Sequence, residues 1–220
     1  MNKMKRLFDL LLSSLALAVL SPLFVVLAVL IRRDGGPAFF RQVRVGRDGE
    51  LFRIFKFRTM VPGAEKLGAQ VTGAADPRIT SVGRFLRKTK LDELPQLIDV
   101  FRGDMSLVGP RPEVPRYVEQ WPEEDRQQIL RIKPGITDYA TFYYSDEQAI
   151  LARAEDPEKS YLETVMPHKL RLYRKYLEDR SFGLDLRLLL ATLTRMVGLD
   201  GRGLLPRPAR SLLSDNRDSD

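Results

Sequence analysis

The sequence predicts a helix-rich α/β fold in which an apolar N-terminal membrane segment precedes a small globular domain. Three observations carry this prediction. Residues 10–31 contain no charged side chain. Residues 40–57 alternate apolar and basic side chains at the period of a β-strand, and residues 92–103 and 184–199 repeat apolar side chains at helical spacing. We therefore expect a membrane helix, a β-hairpin and several amphipathic helices, in that order.

The composition suits a globular protein with an anionic partner. Of the 220 residues, 44% are hydrophobic and 30% are charged, and the formal net charge is +7. A positive excess of this kind predicts nucleic acid, anionic lipid headgroups or a phosphorylated substrate. The absence of cysteine excludes disulfides and thiolate metal sites, and the chain has a single histidine. Acid–base or nucleophilic chemistry would therefore fall to aspartate and glutamate.

The uncharged run at 10–31 is long enough to cross a bilayer, because a helix of this length extends about 33 Å. Basic residues lie at both ends of the run, and Ser21 and Pro22 lie in its middle. Proline removes one backbone hydrogen bond and kinks a helix, and a serine hydroxyl can satisfy the carbonyl that is left unpaired. A hairpin that enters and leaves one leaflet and a single kinked span fit these residues about equally well.

The alternating residues at 40–57 predict a β-hairpin with one arginine-rich face around an Arg-Asp-Gly turn. Directly beside a membrane segment, we expect such a face to meet anionic headgroups or a phosphate. Residues 61–80 are rich in Gly, Ala, Pro and Thr, which is typical of a mobile loop.

The stretch LRKTKLDELPQ, residues 86–96, places basic side chains directly before Asp92 and Glu93. A helix is predicted to follow and to end at Gly103. In the simplest interpretation, Asp92 caps that helix and Glu93 complements its dipole. The same position also suits chemistry, because a helix N-terminus attracts phosphate and nearby cations keep a carboxylate ionised and nucleophilic.

A division of labour between these two carboxylates is a further hypothesis. Adjacent residues on a helix diverge, so one carboxylate could attack while the other binds a metal. Without cysteine, that metal would be an oxygen-ligated cation, and Mg²⁺ bridging to a substrate phosphate is the best match. Prolines on both sides orient Arg111, which is then either a bidentate phosphate ligand or half of a surface salt bridge.

The ordered motifs resemble those of the bacterial sugar transferases, the monotopic phosphoglycosyl transferases that begin glycoconjugate assembly on a polyprenol phosphate. The matching elements are Ser21-Pro22, KFRTM (56–60), DPRIT (76–80), LRKTKLDELPQL (86–97), GDMSLVGPRPE (103–113), KPGITDYA (133–140) and YLETVMPHKLRLYRKYLEDRSF (161–182). The similarity extends from about residue 5 to about residue 200. Its most specific part runs from LDELPQL to GPRP.

The resemblance implies a UDP-sugar donor, a polyprenol phosphate acceptor and membrane lipids as partners, with no nucleic acid. By similarity, Asp92 would attack the β-phosphate of the UDP-sugar, expel UMP and form a covalent phosphosugar intermediate. The polyprenol phosphate would then attack that intermediate and leave as a polyprenyl diphosphate sugar. Glu93 would coordinate Mg²⁺. Phosphate or nucleotide would be held by Arg87 and Arg111 and, as weaker matches, by Lys56 and Arg58. The family's N-terminal helix is re-entrant and breaks at Ser-Pro, which favours the hairpin here, at a bacterial inner membrane with the catalytic domain on the cytoplasmic face.

One motif departs from the family pattern. Many members carry PGITGWAQ where this chain has PGITDYAT, residues 134–141. Asp138 is then a sugar ligand or a turn residue, and we favour the turn. In the C-terminal part we interpret His168 as structural. The amphipathic segment 184–199 either packs on the core or lies in the membrane interface.

We thus expect a re-entrant membrane helix at 1–33, a cytosolic catalytic domain at 34–200 and a disordered tail at 201–220. Two alternatives accompany the covalent mechanism. One is the same reaction in a non-covalent ternary complex, with Asp92 as a base. The other is a non-catalytic basic protein anchored to a membrane.

Overall fold

The computed structural model describes residues 3–33, 35–64, 76–144, 147–151, 154–196 and 198–206. Within these ranges the chain forms ten α-helices and four short strands, which are arranged in two two-stranded sheets. The predicted helix-rich α/β class is therefore confirmed. The largest hydrophobic core lies between the C-terminal helices, the short parallel sheet and the inner face of a β-hairpin.

The N-terminal apolar segment forms one helix, α1, from Lys3 to Arg32. The predicted division into two helices at Ser21 and Pro22 is wrong, because the helix continues through both residues. Pro22 cannot donate a backbone hydrogen bond to the carbonyl of Ala18, and the Ser21 hydroxyl donates to that carbonyl instead, at 2.8 Å. Because the Ser21 hydroxyl replaces the missing backbone donor, one proline does not end the helix.

One face of α1 packs on the rest of the protein along its length. Leu17 and Leu20 contact the main core, whereas Leu27 and Ile31 belong to a second small cluster with Phe57. The opposite face exposes a stripe of apolar side chains: Leu7, Leu11, Leu15, Val19, Val25, Val26 and Val29. By length and composition α1 could cross a membrane.

The predicted β-hairpin is present. Strand β1, Phe39–Val45, pairs antiparallel with β2, Leu51–Phe57, across a 3-10 turn at Arg47–Gly49. The prediction of one arginine-rich face is wrong. Because side chains alternate between the two faces of a strand, Arg41 and Arg53 point to solvent. The basic side chains Arg44 and Lys56 lie on the other face, towards the protein.

The segment that carries the two carboxylates differs from its prediction at one point. Helix α2, Ser81–Thr89, ends at Lys90, which adopts a left-handed φ of 58°. A separate 3-10 turn follows at Leu91–Glu93, and helix α3 begins only after Pro95 and extends over Gln96–Arg102. Asp92 is therefore not the cap of α3. Gly103 ends α3 as predicted, with a φ of 96°.

After α3 the chain forms a short parallel sheet from β3, Ser106–Val108, and β4, Gly135–Thr137. The connection contains α4, Pro115–Val118, and α5, Glu123–Ile129. The remaining helices are α6, Tyr139–Tyr143; α7, Glu147–Leu151; α8, Pro157–Ser160; α9, Met166–Asp179; and α10, Phe182–Met196, with a π-helical turn at Tyr161–Val165.

Helix α10 is apolar on two sides. Leu184, Leu188 and Ala191 are buried in the main core, whereas Leu186 and Leu190 are exposed. Packing on the core is thus confirmed, and an apolar face remains available for an interface. A 3-10 turn follows at Gly201–Leu204, and Leu205 is buried, so the packed chain extends beyond residue 200. Residues 207–220 of the predicted tail and residues 65–75 of the predicted mobile loop lie outside the described residues.

Candidate active site

Three of the predicted site residues meet in one ion-pair cluster. The Lys56 ammonium donates to Glu93 Oε1 at 3.1 Å, and Arg111 Nη1 donates to Glu93 Oε2 at 2.9 Å. The second Arg111 nitrogen pairs with Glu93 Oε1, so the guanidinium binds the carboxylate in a bidentate manner. The 3-10 turn, the hairpin and the GPRPE segment therefore converge at Glu93.

Lys56 reaches the cluster because β2 is held from both sides. Its inner face is buried at Ile54, and the free edge of the strand is bound by Asp99 of α3, whose carboxylate accepts the Phe55 amide at 2.8 Å. Asp99 is fully buried, and the amide that it binds belongs to the residue directly before Lys56 in β2. The hairpin therefore presents Lys56 in a fixed position beside the 3-10 turn.

Arg111 is positioned by a close crossing between the segment that follows β3 and the start of β4. The Gly109 amide donates to the Thr137 carbonyl at 3.0 Å, and the Gly135 amide donates to the Pro110 carbonyl at 2.9 Å. A Cβ at Gly135 would lie 2.1 Å from the backbone nitrogen of Gly109, so the crossing requires glycine. The crossing directs the next residue, Arg111, towards Glu93.

Asp92 lies half-buried beside this cluster. Burial, together with the charge of Glu93, raises the pKa of Asp92 to about 6, against the opposing effect of Lys56 and Arg87. The nearby cations that the sequence predicts are present, but the effect of burial on the pKa of Asp92 is larger than theirs. The Asp92 side chain has no hydrogen-bond or ion-pair partner among the described residues. Of the two neighbouring carboxylates, Asp92 is thus the one without an ion pair in the part of the chain that the structure describes.

Glu93 has the opposite character. Burial by itself would raise its pKa, but Arg111 and Lys56 together hold the pKa of Glu93 well below the usual range. Burial lowers the pKa of Lys56, and the charge of Glu93 opposes that effect. Two adjacent carboxylates thus differ in environment: Glu93 is bound in two ion pairs, and Asp92 has none among the described residues.

Arg87 lies on the Asp92 side of the site. Its Nε donates to the Thr59 hydroxyl at 2.9 Å, and its charge acts on Asp92. Helix α2 is seated against this segment, since a Cβ at Gly83 would lie 1.9 Å from the Thr59 carbonyl oxygen. The predicted phosphate ligands Arg87, Arg111 and Lys56 therefore surround the two carboxylates.

The structure does not bring Arg58 into the site. The side chain is 5% exposed and donates to the carbonyls of Ile31, Pro37 and Met60 at 2.9, 2.7 and 2.8 Å. The predicted role in substrate binding is therefore replaced by a structural one. Arg58 satisfies a carbonyl at the end of α1, where the helix leaves its last acceptors unpaired.

A second ion pair behind the site was not predicted. Arg44 donates to Glu113 Oε1 at 3.0 Å, the Tyr161 hydroxyl donates to Glu113 Oε2, and the Val45 amide donates to the Glu113 carbonyl at 2.9 Å. These contacts join the hairpin to the GPRPE segment. Residues so far apart in sequence carry no local pattern that could have paired them.

Two interpreted residues are structural. Asp138 caps a helix rather than lying in a turn: it is fully buried at the start of α6 and accepts the Thr141 amide at 2.7 Å. His168 is structural, because it is buried and its Nδ1 lies 2.7 Å from the Tyr144 hydroxyl.

The oxygen ligands at the site fit a metal ion that the protein would hold together with the substrate better than one that the protein would hold alone. Among the described residues no group of three or more His, Cys, Asp or Glu side chains could hold a metal. Mg²⁺ commonly takes one or two carboxylates and completes its coordination with substrate phosphates and water. Asp92 and Glu93 match that requirement, although Glu93 would have to share its oxygens with Lys56 and Arg111.

Comparison with known proteins identifies the class. The family model described as "Bacterial sugar transferase" matches residues 1–198. The chain therefore belongs to the bacterial sugar transferase family, and the resemblance inferred from the motifs is confirmed.

Several curated proteins are similar in sequence. The undecaprenyl-phosphate galactose phosphotransferase of Salmonella typhimurium is 44% identical over 149 residues, which cover 61% of this chain and 31% of that protein. The UDP-glucose:undecaprenyl-phosphate glucose-1-phosphate transferase of Escherichia coli is 44% identical over 141 residues, with coverages of 62% and 30%. The undecaprenyl-phosphate glucose phosphotransferase of Komagataeibacter xylinus is 36% identical over 200 residues, with coverages of 88% and 36%. The chain spans about a third of the length of these three relatives.

Proposed function

We propose that the chain transfers a sugar 1-phosphate from a UDP-sugar to a polyprenol phosphate at a membrane and releases UMP. The observation that carries the proposal is the Asp92 carboxylate, which has no hydrogen-bond or ion-pair partner among the described residues and lies beside the Glu93–Arg111–Lys56 cluster. The names of the similar proteins support it, since each describes a transferase that acts with undecaprenyl phosphate.

The chemistry runs in two displacements at one phosphorus atom. An Asp92 oxygen attacks the β-phosphorus, a bond from Asp92 to phosphorus forms, and the bond from that phosphorus to the bridging oxygen breaks. UMP leaves with the electron pair. A phosphate oxygen of the polyprenol phosphate then attacks the same phosphorus, breaks its bond to Asp92 and restores the carboxylate. The product is a polyprenyl diphosphate sugar.

The basic residues around Asp92 stabilise the charge on the transferred phosphate. Arg87 and Lys56 both act electrostatically on Asp92, and Arg111 is held by the neighbouring Glu93. Phosphoryl transfer depends mainly on positioning and on electrostatic stabilisation of this kind. Glu93 would hold a Mg²⁺ ion, which would neutralise part of the diphosphate charge. Glu93 also keeps Lys56 and Arg111 oriented towards the substrate.

We further propose a monotopic arrangement, in which the uninterrupted helix α1 lies in one leaflet of a bacterial inner membrane and the catalytic domain lies on the cytoplasmic face. Both ends of α1 contact the same globular domain. Near the N-terminus, Arg6 donates to the Val100 carbonyl at 2.7 Å, and near the C-terminus, Arg58 holds the Ile31 carbonyl. A helix bound to one domain at both ends supports a position on one side of the bilayer, with its exposed apolar stripe in lipid.

The direct test is UMP release from a panel of UDP-sugars with Mg²⁺ and undecaprenyl phosphate. We expect the wild type to release UMP with at least one donor and the Asp92→Asn variant to release none while remaining folded. Asp104→Asn is the matched control, since Asp104 is exposed and lies 3.8 Å from Arg102.

Kinetics separate the covalent route from the ternary complex. A covalent intermediate predicts ping-pong kinetics, and a ternary complex predicts sequential kinetics. Robust turnover by Asp92→Asn would overturn the nucleophile assignment. Binding of any polyanion without UMP release from the folded wild type would favour the non-catalytic alternative.

A further inference from the structure

The first turns of the membrane helix carry a buried polar cluster that the proposed reaction does not explain. Asp9 is 1% exposed although it lies in α1, directly before the uncharged run. Its carboxylate accepts the Ser106 hydroxyl at 2.8 Å and the Leu107 amide at 3.2 Å. Asp9 therefore occupies the free edge of strand β3, where a further strand would otherwise pair.

Two neighbouring cations extend the cluster. The Lys5 ammonium donates to the Val108 carbonyl at 3.0 Å and forms an ion pair with Asp185 of α10, which also accepts the Tyr176 hydroxyl at 2.8 Å. Arg6 donates to two carbonyls at the C-terminal end of α3, those of Val100 and Phe101, at 2.7 and 2.8 Å. The start of α1 is thus hydrogen-bonded to α3, β3 and α10.

The elements that the cluster holds are those that carry the site. Helix α3 begins at Gln96, three residues after Glu93, and β3 ends at Val108, three residues before Arg111. The first turns of α1 therefore bind both α3, which follows Glu93, and β3, which precedes Arg111. These contacts fix the position of one element relative to the other.

The charged side chains at the start of α1 indicate a role beyond anchoring the protein in lipid. An anchor requires only apolar packing, which the rest of α1 supplies, whereas a buried carboxylate and two partly buried cations are costly unless all are paired. Lys5, Arg6 and Asp9 are all paired, and they are paired with the catalytic domain.

We propose that Lys5, Arg6 and Asp9 are positioning residues, which form a polar joint that sets the geometry of Glu93 against Arg111. The membrane helix is then a structural part of the active site. This inference rests on the proposed function, because it assigns the joint to that site.

The test compares three variants of the full-length chain in lipid nanodiscs. Asp9→Leu leaves the Ser106 hydroxyl and the Leu107 amide unpaired, whereas Asp9→Asn keeps an acceptor for one of them. Ser14→Leu is the control, because the Ser14 hydroxyl donates only to the Leu10 carbonyl of its own helix, at 2.6 Å. We expect kcat/KM for the UDP-sugar to fall about 10- to 100-fold in Asp9→Leu, and to stay within about threefold of wild type in the other two.

Two readouts separate positioning from a general loss of structure. The fraction bound to the nanodisc should be similar in Asp9→Leu and Ser14→Leu, and Asp9→Leu should still unfold in one cooperative transition, at a somewhat lower Tm. Amide hydrogen exchange should increase in Asp9→Leu at residues 105–111 but not across α9. Should Asp9→Leu fail to fold, Arg6→Gln removes only the two bonds to α3 and should lower kcat/KM about tenfold.

The results that would overturn the polar joint differ from those that would overturn the proposed function. Unchanged kcat/KM in a folded Asp9→Leu or Arg6→Gln variant would overturn the joint, as would equal losses in Asp9→Leu and Ser14→Leu. If the wild type releases no UMP, the proposed function fails. The exchange measurement still tests the joint in that case, and unchanged exchange at 105–111 would overturn it.

Discussion

At the residue scale, the site depends on two neighbouring carboxylates whose pKa values move in opposite directions. Burial and Glu93 raise the pKa of Asp92 to about 6, whereas Arg111 and Lys56 hold that of Glu93 well below the usual range. The pair can therefore carry one reactive and one structural carboxylate at the same pH.

The raised pKa of Asp92 predicts an acid limit to activity. Because only the carboxylate attacks, kcat/KM should be level near neutral pH and should fall about tenfold per pH unit below pH 6. Lys56 lowers the pKa of Asp92, so Lys56→Met should move this limb to higher pH. A pH–rate profile of both proteins measures the shift. A limb at the same pH in both would show that Asp92 does not set it.

Loss of the Arg58 side chain should lower the stability of the protein rather than its catalytic activity. Arg58→Leu leaves three carbonyls without their donor and should lower the free energy of unfolding by roughly 3 kcal/mol, while kcat/KM of the folded enzyme changes less than about threefold. Arg53→Leu, on the exposed face of the hairpin, is the matched control. Denaturant unfolding and steady-state kinetics measure both effects. A large rise in KM for Arg58→Leu at unchanged stability would restore its role as a ligand.

The residue types of the site were predictable, but its energetics were not. Motif order identified Asp92, Glu93, Lys56, Arg87 and Arg111. The pKa of Asp92 and the structural role of Arg58 depend on burial, which arises from packing of distant segments and leaves no mark in the local sequence. The sequence therefore revealed the cations near Asp92 but not the burial that opposes their effect on its pKa.

At the scale of elements, strong periodicity was informative and short strands were not. Seven-residue strands with alternating side chains revealed the hairpin, and Gly103 marked the end of α3. The three-residue strands β3 and β4 are too short for a period to show. The start of α3 was misplaced because Lys90 and Pro95 enclose a separate 3-10 turn, which resembles a first helical turn in sequence.

The glycine crossing of the two loops gives a prediction at this scale. Gly135→Ala places a methyl group 2.1 Å from the Gly109 nitrogen, in fully packed backbone, and should destabilise the protein by about 3 kcal/mol or more. Gly183→Ala is the control, since nothing lies within 4 Å of its added Cβ, and it should leave stability equal or slightly higher. Thermal unfolding compares the two, and equal Tm values would refute the close crossing.

At the scale of the whole molecule, the proposed membrane arrangement makes α1 the link between the lipid and the elements of the candidate site. One of its faces is packed on the domain, its two ends are hydrogen-bonded to the elements of the site, and its other face is apolar and exposed. Sequence identified the apolar run and the serine–proline pair. It did not show that the helix continues through them, because the compensating bond from Ser21 to the Ala18 carbonyl depends on geometry.

A one-sided membrane position predicts that both ends of α1 face the cytoplasm. The chain has no cysteine, so Lys3→Cys and Arg33→Cys each introduce a single label site at an exposed position. A membrane-impermeant thiol reagent should label neither variant in intact spheroplasts and both in inverted vesicles. The cysteine-free wild type gives the background. Labelling of the two positions from opposite sides would show a span.

The central claim is that Asp92 carries the sugar phosphate, and intact-protein mass spectrometry after mixing with the UDP-sugar, without the polyprenol phosphate, tests it most directly. We predict an added mass of one sugar phosphate on the wild type that maps to the peptide containing Asp92, is lost on addition of undecaprenyl phosphate, and is absent from Asp92→Asn. Turnover with sequential kinetics, and with no adduct at any time, would contradict the account.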